Sequence, residues 1–304
     1  ISTDLVRGAV LDSYKRLILP AVQRDIRTEL TEKAEKQAVD IFSQNLRQLL
    51  LTPPVKGRMV LGVDPAFRTG CKLAVVDGTG KLLETGVIYP TPPHQKVAEA
   101  KNILSRMLNQ YAINLIAIGN GTASRETEQF IAGFIKEKQG HQLAYIIVNE
   151  AGASVYSAST LAAREFPQLD VSERSAVSIA RRLQDPLAEL VKIEPKAMGL
   201  GQYQHDINEK ILEEKLAAVV ETAVNYVGVD LNTASPSLLS YVAGINMPVA
   251  ENIVKYRESH GEFRRRHDLL QVSRLGPKTF EQCAGFLRLP GGEYPLDETA
   301  IHPE

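Results

Sequence analysis

Apolar residues recur at helical spacing from the start of the chain: Val6, Val10, Tyr14, Leu17, then Ile26, Leu30, Ala34, Ala38, Ile41, Leu46 and Leu50. This predicts a long helical segment over residues 1–54, kinked or divided at Pro20 and closed by Thr52-Pro53-Pro54. Ile1 reads as mid-helix, as expected of a piece of a longer protein. The polar face mixes Arg, Lys, Glu and Asp, the pattern of a solvated scaffolding helix. The period then changes. Met59 to Val63 is apolar or glycine throughout, which suits a strand buried on both faces, and it ends on Asp64. Pro65 stops the ladder, and Gly70 frees the chain to turn back. Lys72–Asp77 and Lys81–Pro90 read as the next two strands, joined by the turn Gly78-Thr79-Gly80.

Further on come an amphipathic helix over Gln95–Tyr111, a short strand over Leu115–Ile118 and a helix running to about Lys138. A strand over Leu143–Val148 follows, then helices from about Ser154 to Glu165 and from about Ser172 to Leu183. Three strands in a meander and then two crossover units predict an RNase H-like mixed sheet with flanking helices over residues 55–190. A dinucleotide-binding fold is excluded, because no GxGxxG follows the first strand. Residues 191–228 read as a loop, with Pro195, Gly199 and Gly201, followed by a long connecting helix over Ile207–Val227.

Residues 229–289 carry a repeat. Ser235 caps a helix with Pro236 at its first position; Ala243-Gly244-Ile245-Asn246 turns; Pro248 opens a second helix that Gly261 closes. A shorter copy runs from His267 through the turn Val272–Gly276 into Pro277 and on to about Leu287. This is the pattern of a tandem helix-hairpin-helix module. Residues 290–304 read as a tail or linker. The fold class expected is multidomain: α/β plus all-α.

Composition narrows the class. At 44% hydrophobic, 304 residues can bury more than one core. A net charge of −1 does not fix the partners, because charge can be segregated locally. The two cysteines, Cys71 and Cys283, lie far apart without a CxxC, which argues against a zinc site or disulfide scaffold and fits a reducing, cytoplasmic setting. No apolar run approaches membrane-spanning length.

Candidate chemistry sits at the strand ends. A two-ion nuclease needs several carboxylates there, because Mg²⁺ takes mostly oxygen ligands and the pair clamps both sides of a phosphate. Asp64 ends the first strand and Glu150 follows the last; the strand at Leu115 ends in Gly119-Asn120, without an acid. The final helix offers Ser172, Glu173 and Ser175, and a shift of that helix would be needed for Asp170 or Glu173 to complete a site. Asp64 equally suits the role of a turn cap before Pro65. Asn120–Ser124, small residues before a helix capped by Thr122 or Ser124, are a candidate phosphate cradle. In the hairpin module, Gly244, Asn246 and Gly276 shape the two turns. Lys278, Arg274 and the run Arg264, Arg265 and Arg266 are candidate contacts to a nucleic-acid backbone. Asn246 stands where a second glycine is usual and is expected to take a left-handed φ. Arg274 stands in a glycine position of the second turn, where it distorts the turn or adds a charge.

Several segments carry a resemblance: GVDPAFRTG (Gly62–Gly70), IGNGTASRETE (Ile118–Glu128), VNEAGASVYSAS (Val148–Ser159), the stretch from Ser172 to Lys196, and GLGQYQHD (Gly199–Asp206). Residues 55–190 resemble a YqgF domain, related to the RuvC Holliday-junction resolvases, and the whole chain resembles the middle of the Tex family of transcription accessory proteins. By this resemblance Asp64 matches the first catalytic acid of RuvC. Gly119 or Asn120 stands in place of the second, and Glu150 falls near the acid of the YqgF DER motif. Ser172 and Ser175 replace the two closing acids. The resemblance implies a domain that keeps the fold, with a weak Mg²⁺ contact at Asp64 and no useful turnover, since even single outer-shell losses at metal sites cost about 10–100-fold. It also implies an S1 RNA-binding domain beyond residue 304. The function expected is sequence-independent binding of RNA or DNA within a transcription accessory factor, with no membrane association. The alternatives are a metal-dependent, structure-selective nuclease using Asp64 and Glu150, and a protein-interaction scaffold for the transcription machinery.

Overall fold

The computed structural model describes residues 2–138 and 142–303; Ile1, read above as mid-helix, lies outside them. Helix α1 (Thr3–Ser13), a π-helical turn (Tyr14–Ile18) and α2 (Leu19–Leu50) run on without a break. Pro20 therefore does not divide the segment. Its missing N–H and bulky ring are accommodated by the wider turn just before it, in which the Leu19 N–H reaches the Tyr14 carbonyl. Only the far end of α2 is packed, through Val39, Phe42, Leu46 and Leu50; Leu5, Val10, Leu17 and Leu30 are exposed.

The α/β unit contains β1 (Val60–Asp64), β2 (Cys71–Val76), β3 (Leu82–Ile88), α3 (Val97–Gln110), β4 (Leu115–Gly119), α4 (Ser124–Glu137) and β5 (Ala144–Val148). It closes with α5 (Ala153–Ala158), α6 (Thr160–Glu165), α7 (Val171–Gln184) and α8 (Pro186–Leu190). The sheet order is β3-β2-β1-β4-β5, with β1 antiparallel to β2 and parallel to β4, the mixed sheet expected. One face packs Leu61, Val63, Leu73, Ile116 and Ile118 against α3 and α4. The other packs Val60, Ala74 and Ala117 against Ala176, Ile179 and Ala180 of α7. The single helix expected over 154–165 is two, α5 and α6. The chain turns extended at Ser159, whose hydroxyl caps α6 by accepting the Ala162 N–H (3.1 Å).

The remainder is α9 (Glu209–Val227), β6 (Val229–Asp230), α10 (Pro236–Leu239), α11 (Met247–His260), α12 (Pro277–Cys283) and β7 (Leu287–Arg288). Strands β6 and β7 pair in parallel and join the start of the hairpin module to its end. One core runs through the buried end of α2, α8, α9 and the hairpin helices, so packing continues across residue 228. Residues 290–303 of the stretch expected as a tail fold back on the module. The Leu289 N–H donates to Asp297 O and the Glu293 N–H to Arg264 O, both at 2.9 Å, and Pro295–Glu298 forms a 3-10 turn.

Candidate functional site

Asp64 ends β1 because Pro65 has no N–H to carry the ladder further. The carboxylate is left at the carboxyl edge of the sheet, where β1 has an antiparallel neighbour on one side and a parallel one on the other. Its ladder partner on β2 is Lys72, a buried lysine whose ammonium donates to the carbonyls of Gly70 (3.1 Å) and Thr69. Burial pushes the Asp64 carboxyl up to about 6; a hydrogen bond from Ser175 on α7 pulls it back, Glu150 pushes it up again, and Lys72 opposes that.

Glu150 reaches the same edge through a stitched pair of loops. Asn120 donates its N–H to Val148 O (3.1 Å) and accepts the Glu150 N–H on its side-chain oxygen (3.0 Å). The Glu150 carboxylate lies over Gly119 and Gly121, and a Cβ added at either position would overlap it. Where the RuvC resemblance puts a second acid, this chain has an opening filled by the Glu150 carboxylate. Glu150 Oε2 is buried without a hydrogen bond to the described residues. Arg182 of α7 reaches under this loop and donates Nη1 to Asn149 O (2.9 Å) and Ala151 O (2.8 Å). Burial pushes the guanidinium down to about 10, against the pull of Glu189 and Glu150.

The other acids are used elsewhere. Asp170 and Glu173 form a reciprocal capping box at the start of α7, and Glu173 also accepts the Thr85 hydroxyl (2.9 Å). The shift of α7 that would bring either to Asp64 has not occurred. Two carboxylates converge, and among the described residues no group of three or more His, Cys, Asp and Glu side chains is placed to hold a metal. That donor set does not fit a two-ion centre, which needs bridging oxygens for both cations. Neither Thr122 nor Ser124 caps α4; its first turn follows Ala123, held at φ +64°.

The hairpins superimpose as a pattern. In the first, the Ile245 N–H donates to Val242 O (3.0 Å) and Gly244 takes φ +81°; in the second, the Leu275 N–H donates to Val272 O (3.1 Å) and Arg274 takes φ +67°. Each turn is clamped by an asparagine of a helix earlier in the chain, Asn225 of α9 and Asn252 of α11. Asn225 accepts the Ala243 N–H (3.0 Å) and donates to Tyr241 O (3.0 Å), while Asn252 donates to Ser273 O (3.0 Å). Asn246 is not left-handed as expected. It is extended, at φ −95°, and caps α11 by accepting the Val249 N–H (3.1 Å). Gly276 is its counterpart before α12, extended and without a side chain to cap. Arg274 leaves its turn intact. Arg274 and Lys278 are exposed and, among the described residues, free of ion pairs and hydrogen bonds.

The arginine run divides. The side chains of Arg264 and Arg265 are 79% and 60% exposed, and both pair with Glu293. An exposed pair of this kind is worth at most about 1 kcal/mol. Arg266, expected at a phosphate, is 1% exposed instead. Its guanidinium donates to the carbonyls of Leu296 (2.9 Å), Asp297 (3.2 Å), Ile301 (2.7 Å) and Thr299, and its N–H to the Asp297 carboxylate (2.8 Å). Arg266 is a structural residue.

Residues 58–184 match the model of the Tex protein YqgF-like domain, and residues 224–288 that of a helix-hairpin-helix motif. The transcriptional accessory protein Tex of Neisseria gonorrhoeae is 52% identical over 299 residues, 98% of this chain and 39% of that one. The chain belongs to the Tex family. YdcI of Bacillus subtilis, an uncharacterized protein, is 62% identical over 301 residues, 99% of this chain and 42% of its own length. The human S1 RNA-binding domain-containing protein 1 is 51% identical over 287 residues, 94% of this chain and 29% of that protein. The chain thus spans less than half the length of these relatives.

The Tex YqgF-like domain has a measurable signature in Asp64. An acid whose folded pKa lies above its unfolded value binds its proton more tightly in the native state, so stability falls as pH rises from about 4 to about 6 and stays lowered above that. With the folded value near 6, the cost at neutral pH is on the order of 2–3 kcal/mol. Asp64→Asn is therefore expected to raise the unfolding free energy at pH 7.5 and to change little at pH 4. Urea denaturation at the two pH values checks it; equal effects at both would count against the buried, protonation-prone carboxyl.

Proposed function

We propose that this chain grips nucleic-acid backbone through its helix-hairpin-helix module and that its YqgF-like domain does not cut. The observation that carries the reading is the pair of unpaired, exposed cations on the second hairpin, Arg274 and Lys278, beside a turn of the same geometry as the first. Arg264 and Arg265 extend the charge. Arg266 has no part in it. Backbone contacts of this kind are sequence-independent and salt-sensitive. A role as an accessory to transcription fits the Tex relative, and RNA as a ligand fits the S1 RNA-binding name of another. A cytoplasmic setting suits two buried, unpaired cysteines. Among the described residues no helix is long and apolar enough to cross a membrane.

Lys278→Glu with Arg274→Glu is expected to weaken binding of labelled RNA and DNA oligonucleotides at least tenfold near 100 mM salt. The slope of log K against log salt should flatten by about 0.7–0.9 per lost contact. Fluorescence anisotropy across a salt series checks it; unchanged affinity and slope would favour the scaffold reading, which the exposed apolar residues of α1 and early α2 also suit. The nuclease reading rests on the approach of Asp64 and Glu150, which offer oxygens for a single weakly held Mg²⁺. Metal-dependent cleavage of branched or single-stranded substrates that disappears in Asp64→Asn would establish it instead.

A further inference from the structure

We propose that the groove between α2 and α9 is a second contact for single-stranded nucleic acid, in which Tyr226 stacks a base and Arg47 and Lys215 hold flanking phosphates. The groove is bounded on α2 by Ser43, Arg47 and Leu51 and on α9 by Lys215, Val219 and Tyr226. Alanine and threonine at 218, 222 and 223 keep its floor low. Tyr226 is 73% exposed, one of the most exposed aromatic side chains among the described residues. Arg47 and Lys215 are exposed, and neither side chain forms an ion pair or hydrogen bond with a described residue.

The surrounding acids do not cancel that charge. Glu209 and Glu213, near the start of α9, are held by Lys196. Glu221 lines a different hollow, beside the first hairpin. Asp40 and Glu214, the acids closest in sequence, are outside the lining. An exposed ring and two unpaired cations around an apolar floor match what single strands need: a sequence-tolerant stacking surface with backbone neutralisation along the same groove. A folded protein partner would have to bring its own acids and an apolar pocket for Tyr226, whereas a single strand supplies phosphates and a stacking base together. Tyr226 lies just ahead of β6, so α9 carries one end of the groove directly into the hairpin module.

This inference rests on the nucleic-acid reading above and is tested so that the two can fail separately. The 304-residue chain is titrated with fluorescent poly-U and poly-dT oligonucleotides of about 12 nucleotides, long enough for one such site. Tyr226→Ala is expected to weaken binding at least about fivefold and Tyr226→Phe to leave it unchanged, because the ring and not the hydroxyl does the stacking. Arg47→Glu with Lys215→Glu is expected to flatten the salt slope by about 0.7 per contact. A 5-iodouridine oligonucleotide should photo-crosslink within Asn225–Val227. All these side chains are at the surface, so matching thermal melts confirm that the variants fold. Groove variants that bind as the parent chain does, while Lys278→Glu with Arg274→Glu binds poorly, would overturn this inference alone. A parent chain that binds neither oligonucleotide would overturn both readings.

Discussion

Arg266→Ala is expected to lower the unfolding free energy by about 3–5 kcal/mol, the range for removing one partner of a buried, hydrogen-bonded charge. The guanidinium sits at 1% exposure among four main-chain carbonyls of residues 296–301, with Asp297 as its countercharge. Without it the carbonyls of Thr299 and Ile301 lose this donor, those of Leu296 and Asp297 keep only their remaining main-chain and hydroxyl donors, and Asp297 is left buried without its countercharge, its carboxylate still accepting the residue 266 main-chain N–H. The loss should spread beyond the tail. Asp297 O is the acceptor for the Leu289 N–H, and β7, just before it, closes the hairpin module on β6. Arg264→Ala and Arg265→Ala, whose ion pairs with Glu293 are exposed, should each change stability by less than about 0.5 kcal/mol. Urea midpoints of the three variants check the contrast. Equal effects along the run, or an Arg266→Ala that weakens oligonucleotide binding at full stability, would mean that the buried role is wrong.

Three adjacent arginines look alike in a sequence, and this is where reading by residue type stops. What separates Arg266 from its neighbours is the position of Asp297, more than thirty residues on, and no local pattern records that. The sheet was legible for the opposite reason. Apolar runs bounded by Asp64-Pro65, Gly70 and Gly78-Thr79-Gly80 carry their own punctuation, and strand order follows from connection rules. The hairpin module was legible through Ser235-Pro236, Gly244 and Pro277, each a local conformational demand. Asn246 was misread because asparagine suits both a left-handed turn and a helix cap, and only the following N–H of Val249 decides between them. The Pro20 break was misread because a π turn can absorb a proline without ending the helix. In the Asp64 pocket, sequence placed both carboxylates at the sheet edge. It gave no sign that Glu150 would lie in the space opened by Gly119 and Gly121, or that Arg182 would reach beneath it; the glycine pair is the only trace, visible once the side chain is seen over it.

Gly62→Ala is the second large effect expected, about 3 kcal/mol or more. Gly62 lies mid-strand in β1, opposite Ala74 on one side and Ala117 on the other, so the sheet cannot shift it sideways. A Cβ there would overlap the Ala176 carbonyl oxygen and meet Ala180 Cβ at 2.8 Å and Ala180 N at 3.0 Å. Two of the three atoms are main chain and cannot rotate away, which puts the substitution at or beyond the usual 1–3 kcal/mol for overpacking a core. The strain is relieved only if α7 lifts, and α7 carries Ser175 to Asp64 and Arg182 to the carbonyls of Asn149 and Ala151. Amide exchange should therefore rise along α7 and around residues 149–151 more than in α3 on the other face. Gly121→Ala is the control. The three atoms nearest its Cβ would all belong to the Glu150 carboxylate, the free end of a flexible side chain, so it should cost under about 1 kcal/mol and turn Glu150 outward. Gly62→Ala melting at the parent temperature with α7 protection intact would show that helix and strand do not approach this closely, and Ser175 would then have no fixed place beside Asp64.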